Sequence, residues 1–123
     1  MKMRAALLYG IQDLRIEERP VPALAPGEVL VRVDAALTCG TDLKTFQRGH
    51  PVLLRSLPAP FGHEFAGTIV ETGPEVEGFS PGMAVTGGNS APCRHCLYCQ
   101  KGQPNLCEHL TFLQGTYAEY LRI

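Results

Sequence analysis

The sequence has no long hydrophobic run and no block of charge of one sign. Its apolar stretches extend over only a few residues, whereas a membrane-spanning helix needs roughly 20. The 11 basic and 12 acidic residues are interspersed and leave a net charge of −1. Since there is no basic stripe or run, we expect neither nucleic acid nor a membrane as a partner.

Targeting and cofactor-fold signals are also missing. The N-terminus has no apolar core and no small-residue cleavage site of a secretory signal, so we expect a cytoplasmic protein. No Gly-x-Gly-x-x-Gly sequence and no βαβ pattern occur, which excludes a dinucleotide-binding unit of that type within these residues. The length of 123 residues, with 45% hydrophobic residues, fits one globular domain.

What the chain does contain is a series of short segments divided by 13 glycines and 10 prolines. Alternating or β-branched patterns predict strands at residues 2–9, 13–18, 28–37, 65–72, 83–86 and 116–123. Short helices are predicted at 41–48 and 98–102. Residues 48–61 are predicted as a loop that is ordered on the surface or that becomes ordered against a missing neighbour. Many short strands with loop connections indicate an all-β barrel or sandwich.

Four of the five cysteines lie within fifteen residues, in a C-x2-C-x2-C-x7-C arrangement: Cys93, Cys96, Cys99 and Cys107. Four thiolates satisfy tetrahedral Zn(II) and leave no position for chemistry, which is typical of a structural zinc site. Such a site contributes free energy of folding to the segment that carries it. In a reducing compartment this crowding favours metal over disulfides.

Several alternatives fit this cluster less well. An iron–sulfur cluster of the ferredoxin type has a three-residue gap and a following proline, but here the gap is seven residues and Glu108 follows. A redox Cys-x-x-Cys needs only two cysteines. Unliganded core cysteines conflict with the polar composition of the segment. His95 and His109 lie nearby and remain alternative ligands.

A second group of potential ligands is spread along the chain. Cys39-Gly-Thr41-Asp42 and Gly62-His63-Glu64 each lie near the junction of a predicted strand and a loop. Thiolate, imidazole and carboxylate are the ligand types of a catalytic zinc site, and the hydroxyl of Thr41 is suited to relay a proton. From residue types alone, a single buried cysteine such as Cys39 is more often a packing residue than a ligand, and a single histidine such as His63 more often makes a hydrogen bond to a backbone carbonyl.

Taken together, these motifs resemble those of a known family. The sequence GHEFAG at 62–67, with GPEV at 73–76, resembles the signature of zinc-containing alcohol dehydrogenases. Residues 39–42 resemble the first catalytic-zinc element of that family, and the four clustered cysteines have its structural-zinc spacing. The three motifs also occur in the order of the family, and the resemblance extends over nearly the whole chain.

The resemblance implies the N-terminal catalytic domain of a medium-chain dehydrogenase of the polyol or threonine branch, over residues 1–123. The implied fold is mostly β, a GroES-like, partly open β-barrel with short helices and a zinc-stabilised lobe. Cys39 and His63 would bind a catalytic zinc ion, with Glu64 beside it or as an exchangeable ligand, and Thr41 would pass on the proton of the alcohol. The structural zinc ion would be bound by Cys93, Cys96, Cys99 and Cys107.

The sequence departs from the family pattern at four points. Lys44 stands where many members have a histidine that passes the proton outward. His50 is a candidate substitute, although its proline-rich surroundings favour a merely exposed side chain. The usual Gly-Asp-Arg-Val reads GMAV at 82–85. The third protein ligand of the catalytic zinc and the dinucleotide-binding domain have no counterpart within the 123 residues.

The implied parent protein is an NAD(P)-dependent alcohol or polyol dehydrogenase. Zinc would act as a Lewis acid on the substrate oxygen, and the nicotinamide would carry the hydride. We therefore expect two Zn(II) sites, NAD(P) and a small-molecule alcohol or polyol for the longer protein, a missing Rossmann domain, and a homo-oligomer. The 123-residue chain alone is expected to be inactive. The alternative is a stand-alone, zinc-stabilised β-domain that acts as a binding module.

Overall fold

Strands make up most of the regular structure in the computed structural model, which describes all residues from Met1 to Ile123. The strands are β1 (Lys2–Gly10), β2 (Asp13–Pro20), β3 (Val29–Ala36), β4 (Ala59–Pro60), β5 (Phe65–Thr72), β6 (Ala84–Thr86), β7 (Ser90–Ala91), β8 (Thr111–Phe112) and β9 (Tyr120–Arg122). The helices are α1 (Gly40–Arg48), α2 (Leu97–Gln100) and one 3-10 turn (Pro104–Leu106). No helix has the length and apolar character that crossing a membrane requires.

The strands form three antiparallel sheets, with the orders β2-β1-β4, β6-β5-β3-β9 and β7-β8. The prediction of a mostly β fold is confirmed, and the sheets stay open rather than closing into a complete barrel. The four-stranded sheet carries a buried cluster of Val31, Phe65, Ile69 and Leu121. These residues come from β3, β5 and β9, so burial of their apolar surface holds the three strands together.

A glycine permits the close approach of β3 and β5. Gly67 pairs with Val33 in the ladder, and a Cβ atom at Gly67 would lie 2.5 Å from Cγ1 of Val31 and would also meet the carbonyl of Arg32. Any larger residue would therefore push the two strands apart. The ladder runs from Val29 opposite Thr72 to Ala36 opposite Phe65, with two register shifts.

Two segments differ from the sequence-based expectation. The predicted loop 48–61 contains β4, which pairs with β1 through Leu8 and Ala59. The predicted strand 116–123 forms a ladder only over Tyr120–Arg122. Its first part instead connects the two larger sheets, because Ala6 N donates to the carbonyl of Tyr117 and Val33 N to that of Glu119.

Residues 90–112, from β7 to β8, form a lobe that we call the cysteine lobe. Its ladder has only two residue pairs, Ser90 with Phe112 and Ala91 with Thr111. The only buried residues in it are Cys96 and Cys107. The cysteine lobe therefore lacks an apolar core of its own, and its stability has to come from another source.

Candidate metal centres

The cysteine lobe brings its four thiols to one point. The sulfur atoms of Cys93, Cys96, Cys99 and Cys107 all lie within 4.8 Å of one another, and all four are free thiols. His95 and His109 are not in this group, and their rings stack on each other with centroids 6.3 Å apart. The donors that converge are therefore the four cysteines alone, a set that suits tetrahedral Zn(II).

Backbone N–H groups point at these sulfur atoms. Cys93 N donates to Sγ of Cys107 at 3.2 Å, Cys96 N to Sγ of Cys93 at 3.3 Å, and His109 N to Sγ of Cys107 at 3.3 Å. Hydrogen bonds from the backbone at Cys99 and Glu108 lower the pKa of Cys96 to about 6, whereas burial and the neighbouring thiols raise the pKa of Cys99 to about 12. The lobe thus favours the thiolate form of some of its cysteines and disfavours it in others. A cation bound among the sulfur atoms would offset the repulsion between neighbouring thiolates.

The second group of ligands is assembled by the pairing of β3 with β5. The last residue of β3, Ala36, lies opposite the first residue of β5, Phe65. Cys39 follows β3 by three residues, and His63 and Glu64 immediately precede β5, so both segments leave the ladder at the same end. Their ligand atoms all lie within 4.8 Å of one another. We call this group the open site, because three donors leave a tetrahedral position free.

Helix α1 fixes the thiol of Cys39. Cys39 is the N-cap residue, its Sγ accepts a hydrogen bond from Thr41 N at 3.3 Å, and its own N–H donates to the carboxylate of Asp42 at 3.0 Å. Hydrogen bonds from Thr41 and proximity to His63 lower the pKa of the Cys39 thiol. This environment favours the thiolate, the form that binds metal.

Asp42 also holds the histidine of the open site. Its Oδ1 lies 3.1 Å from Nδ1 of His63, and the side chains of His63 and Asp42 are only 11% and 5% exposed. With Nδ1 held by the carboxylate, Nε2 is the nitrogen that is free to bind a metal ion. The same carboxylate thus caps the helix that carries Cys39 and orients His63.

One further polar residue at the site was not singled out from the sequence. The hydroxyl of Tyr117 lies 2.6 Å from Oγ1 of Thr38 and 3.3 Å from Oδ2 of Asp42. Burial and the negative charge of Asp42 raise the pKa of Tyr117, which keeps the phenol protonated as a donor. Tyr117 lies far along the chain from Asp42, and no local pattern in the sequence connects the two.

A cavity of about 170 Å³ joins the open site to the loop after α1. Its lining includes Thr41, His50 and His63, with Asn89 and four apolar residues. His50 is half-buried, and its Nδ1 accepts hydrogen bonds from Val52 N and Leu53 N, both at 3.1 Å. The expectation that His50 is merely exposed is therefore wrong. Lys44, in contrast, is exposed on α1.

Comparisons with known proteins agree with this geometry. The sequence model of the family described as alcohol dehydrogenase GroES-like domain matches residues 25–123. Sorbitol dehydrogenase of Bombyx mori is 39% identical over 104 residues, covering 84% of this chain and 30% of that protein.

Solved structures of longer proteins contain the same fold. A Sinorhizobium meliloti protein described as a zinc-binding dehydrogenase and bound to NADP matches with a TM-score of 0.89 and 32% identity, over 100% of this chain and 36% of that one. The cobalt- and zinc-bound alcohol dehydrogenase of Pyrobaculum aerophilum matches with a TM-score of 0.86 and 34% identity, over 100% of this chain and 39% of that one. This chain thus spans between 30% and 39% of the length of these relatives. From the match over residues 25–123, together with this likeness in structure, the chain belongs to the alcohol dehydrogenase GroES-like domain family.

Proposed function

We propose that residues 1–123 are the zinc-binding, substrate-side domain of an NAD(P)-dependent alcohol or polyol dehydrogenase. The observation that carries this proposal is the convergence of Cys39, His63 and Glu64, whose ligand atoms lie within 4.8 Å of one another beside a cavity. The sorbitol dehydrogenase among the relatives and the NADP-bound structural neighbour support it. A stand-alone binding module is the less favoured interpretation, because these relatives are named as dehydrogenases.

We assign the two groups of donors to two zinc ions with different roles. Cys93, Cys96, Cys99 and Cys107 would form a closed structural site, since four thiolates complete a tetrahedron. Cys39 and His63 would hold a catalytic ion, with Glu64 as an exchangeable ligand and one position left for the substrate. The donor types and the orienting contact between Asp42 and His63 both fit zinc.

A zinc ion bound at the open site supplies a Lewis acid for the oxygen of the substrate. The other roles on the substrate side of the reaction belong to residues of the chain. Thr41 lines the same cavity as His63, so its hydroxyl is placed to accept the alcohol proton and to pass it on. Asp42 holds the imidazole of His63 in one orientation throughout, because its carboxylate is buried and hydrogen-bonded.

His50 is better suited to bind substrate than to accept the proton from Thr41. Its Nδ1 already accepts two backbone hydrogen bonds, so a neutral His50 presents an N–H donor at Nε2. An N–H donor can bind a second oxygen of a polyol, whereas a relay from Thr41 would need an acceptor nitrogen that is free of other hydrogen bonds. We therefore expect the proton to leave Thr41 toward solvent or toward a group outside these residues.

The hydride acceptor would bind outside this chain, since no Gly-x-Gly-x-x-Gly sequence lies within it. We propose that a Rossmann domain of the longer protein supplies the NAD(P) site and that the longer protein is a homo-oligomer. The 123-residue chain alone is then inactive. We also propose a cytoplasmic location, which is supported by five free cysteines grouped for metal rather than for disulfides.

Metal analysis of the longer protein tests the proposal, because the third protein ligand of the catalytic zinc has no counterpart within the 123 residues. We expect two zinc ions per chain, because the two types of site each hold one. The variant Cys39→Ser should keep only the ion of the cysteine lobe, and it serves as the matched control for Cys107→Ser, which should lose that ion. A folded wild-type protein that holds one zinc ion or none would refute the assignment of the open site.

A second experiment tests the reaction on the longer protein. Oxidation of a polyol with NAD(P)⁺ should be lost in Cys39→Ser, and the turnover number should fall on the order of 100-fold in Thr41→Val, since general acid–base groups contribute about that much or more. Thr111→Val, on exposed β8, is the control and should leave turnover unchanged. Full activity of the Cys39→Ser protein would exclude this mechanism.

A further inference from the structure

Tyr117 links the two chain segments that carry the ligands of the open site. Its hydroxyl lies 2.6 Å from Oγ1 of Thr38 and 3.3 Å from Oδ2 of Asp42, and it also lies 3.3 Å from the carbonyl of Leu37. A phenol has one proton, and a carboxylate is the stronger acceptor because it is charged. Tyr117 therefore donates to Asp42, and Thr38 donates to the oxygen of Tyr117.

The other end of Tyr117 is fixed to the segment that precedes His63. Tyr117 N donates to the carbonyl of Phe61 at 3.0 Å, and the two rings pack edge to face with centroids 5.5 Å apart. Gly62 leaves room for this ring, since a Cβ atom there would lie 2.5 Å from Cδ1 of Tyr117. The backbone and the ring of Tyr117 thus hold the His63 segment, while its hydroxyl holds the segment of Cys39.

We propose that Tyr117 is a positioning residue that holds the open site in its metal-binding geometry through Asp42. Asp42 is 4% exposed, and its Oδ2 accepts from Cys39 N and from Tyr117 while its Oδ1 contacts His63. Losing the phenol removes one of the donors that fix this buried carboxylate, and the imidazole then loses its fixed orientation. The inference rests on the proposed metal site at Cys39 and His63.

The variant Tyr117→Phe tests this role, because it removes the hydroxyl and keeps the ring that packs on Phe61. Zinc is titrated away from the loaded longer protein with a chromophoric chelator, which separates the weakly bound ion from the tightly bound one. We expect the open site to bind zinc about tenfold more weakly, which is at the low end of the losses seen when a group that orients a metal ligand is removed. The affinity for the tightly bound ion, in the cysteine lobe, should be unchanged. Tyr120→Phe, on β9 opposite Arg32, is the matched control and should change neither.

Cobalt provides a readout that a purely structural role would not alter. Co(II) at the open site of Tyr117→Phe should give a shifted or broadened ligand-field band, while the thiolate-rich band of the cysteine lobe stays the same. Thr38→Val, which removes the donor to the phenol oxygen, should weaken zinc binding in the same direction by a smaller factor. It serves as the second variant if Tyr117→Phe does not fold.

The outcomes separate the inference from the proposed function. If the longer wild-type protein binds two zinc ions and neither Tyr117→Phe nor Thr38→Val changes the affinity for the weaker ion, the positioning role is wrong and the metal site stands. An equal loss in Tyr120→Phe also overturns the inference, because the effect is then general. A longer wild-type protein with only one zinc ion overturns both.

Discussion

Replacing one ligand of the closed site should unfold the cysteine lobe and leave the sheets intact. Cys107→Ser removes one of four sulfur atoms that lie within 4.8 Å of one another. The lobe has no other buried residues than Cys96 and Cys107 and only two ladder pairs. Structural zinc contributes on the order of 10 kcal/mol in small zinc-binding peptides, and this lobe has no apolar core to replace that contribution.

The size of the effect follows from the number of residues that lose their structure. Roughly 20 residues unfold with the lobe, and at about 0.7 kcal/mol per residue this corresponds to about 14 kcal/mol of the enthalpy of unfolding. The same scale gives about 86 kcal/mol for the whole chain. The main calorimetric transition should therefore lose about one sixth of its enthalpy, while the buried cluster around Val31 and Ile69 still unfolds cooperatively.

Amide hydrogen exchange followed by mass spectrometry locates the change. Peptides from residues 92–108 of Cys107→Ser should exchange rapidly, whereas peptides from β5 should keep the protection of the wild-type chain. Cys39→Ser is the matched control, since it removes a sulfur atom outside the lobe and should leave residues 92–108 protected. If Cys107→Ser has verifiably lost the zinc ion of the lobe and its lobe still exchanges as slowly as in the wild-type chain, the metal does not stabilise the lobe.

Two further changes test the packing of the larger sheets. Gly62→Ala should lower the free energy of unfolding, measured by urea denaturation, by roughly 2–4 kcal/mol. The reason is that Gly62 has a φ of +88° and that a Cβ atom there would lie 2.5 Å from Oγ1 of Thr116. Gly88→Ala, where the nearest atom to an added Cβ lies at 3.7 Å, is the control, and equal urea midpoints for the two variants would contradict this reasoning. Glu119 accepts hydrogen bonds from the backbone and side chain of Arg4, and these lower the pKa of Glu119 from its ordinary value. The stability that these contacts give the folded state is present above the pKa of an unfolded glutamate and is lost as the pH falls through the folded pKa. Glu119→Gln should thus be less stable than wild type at neutral pH, with a difference that closes in acid, and a difference independent of pH would exclude this origin.

The longer strands were predictable because they carry a pattern of their own. β5 has the bounds 65–72 that its apolar and β-branched residues predict, and α1 begins within one residue of the predicted start. β4, β7 and β8 have two residues each, too few for a period to be recognised. Residues 116–119 carry strand-like residues, but their hydrogen bonds are shared between two sheets, and no local pattern indicates which sheet they pair with.

The candidate sites differ in the same way. The closed site was predicted from spacing alone, because its ligands lie within one short segment and a tight turn brings them together. Cys39 and His63 meet only through the register of β3 on β5, which single-sequence patterns do not reveal, so their pairing depended on the family resemblance. Tyr117 was missed since its contact with Asp42 depends on the path of the chain between the sheets.

This difference in origin has a thermodynamic consequence. The thiols of the cysteine lobe are close in sequence, so an unfolded chain still binds zinc through them, and that binding reduces the stabilisation that zinc gives to the folded state. The open site has no such counterpart in the unfolded chain, because Cys39 and His63 converge only when β3 pairs with β5. The zinc ion that we propose at the open site would therefore stabilise the four-stranded sheet without such a reduction. During urea unfolding, release of that ion should coincide with loss of the sheet, while the ion of the cysteine lobe dissociates independently of it.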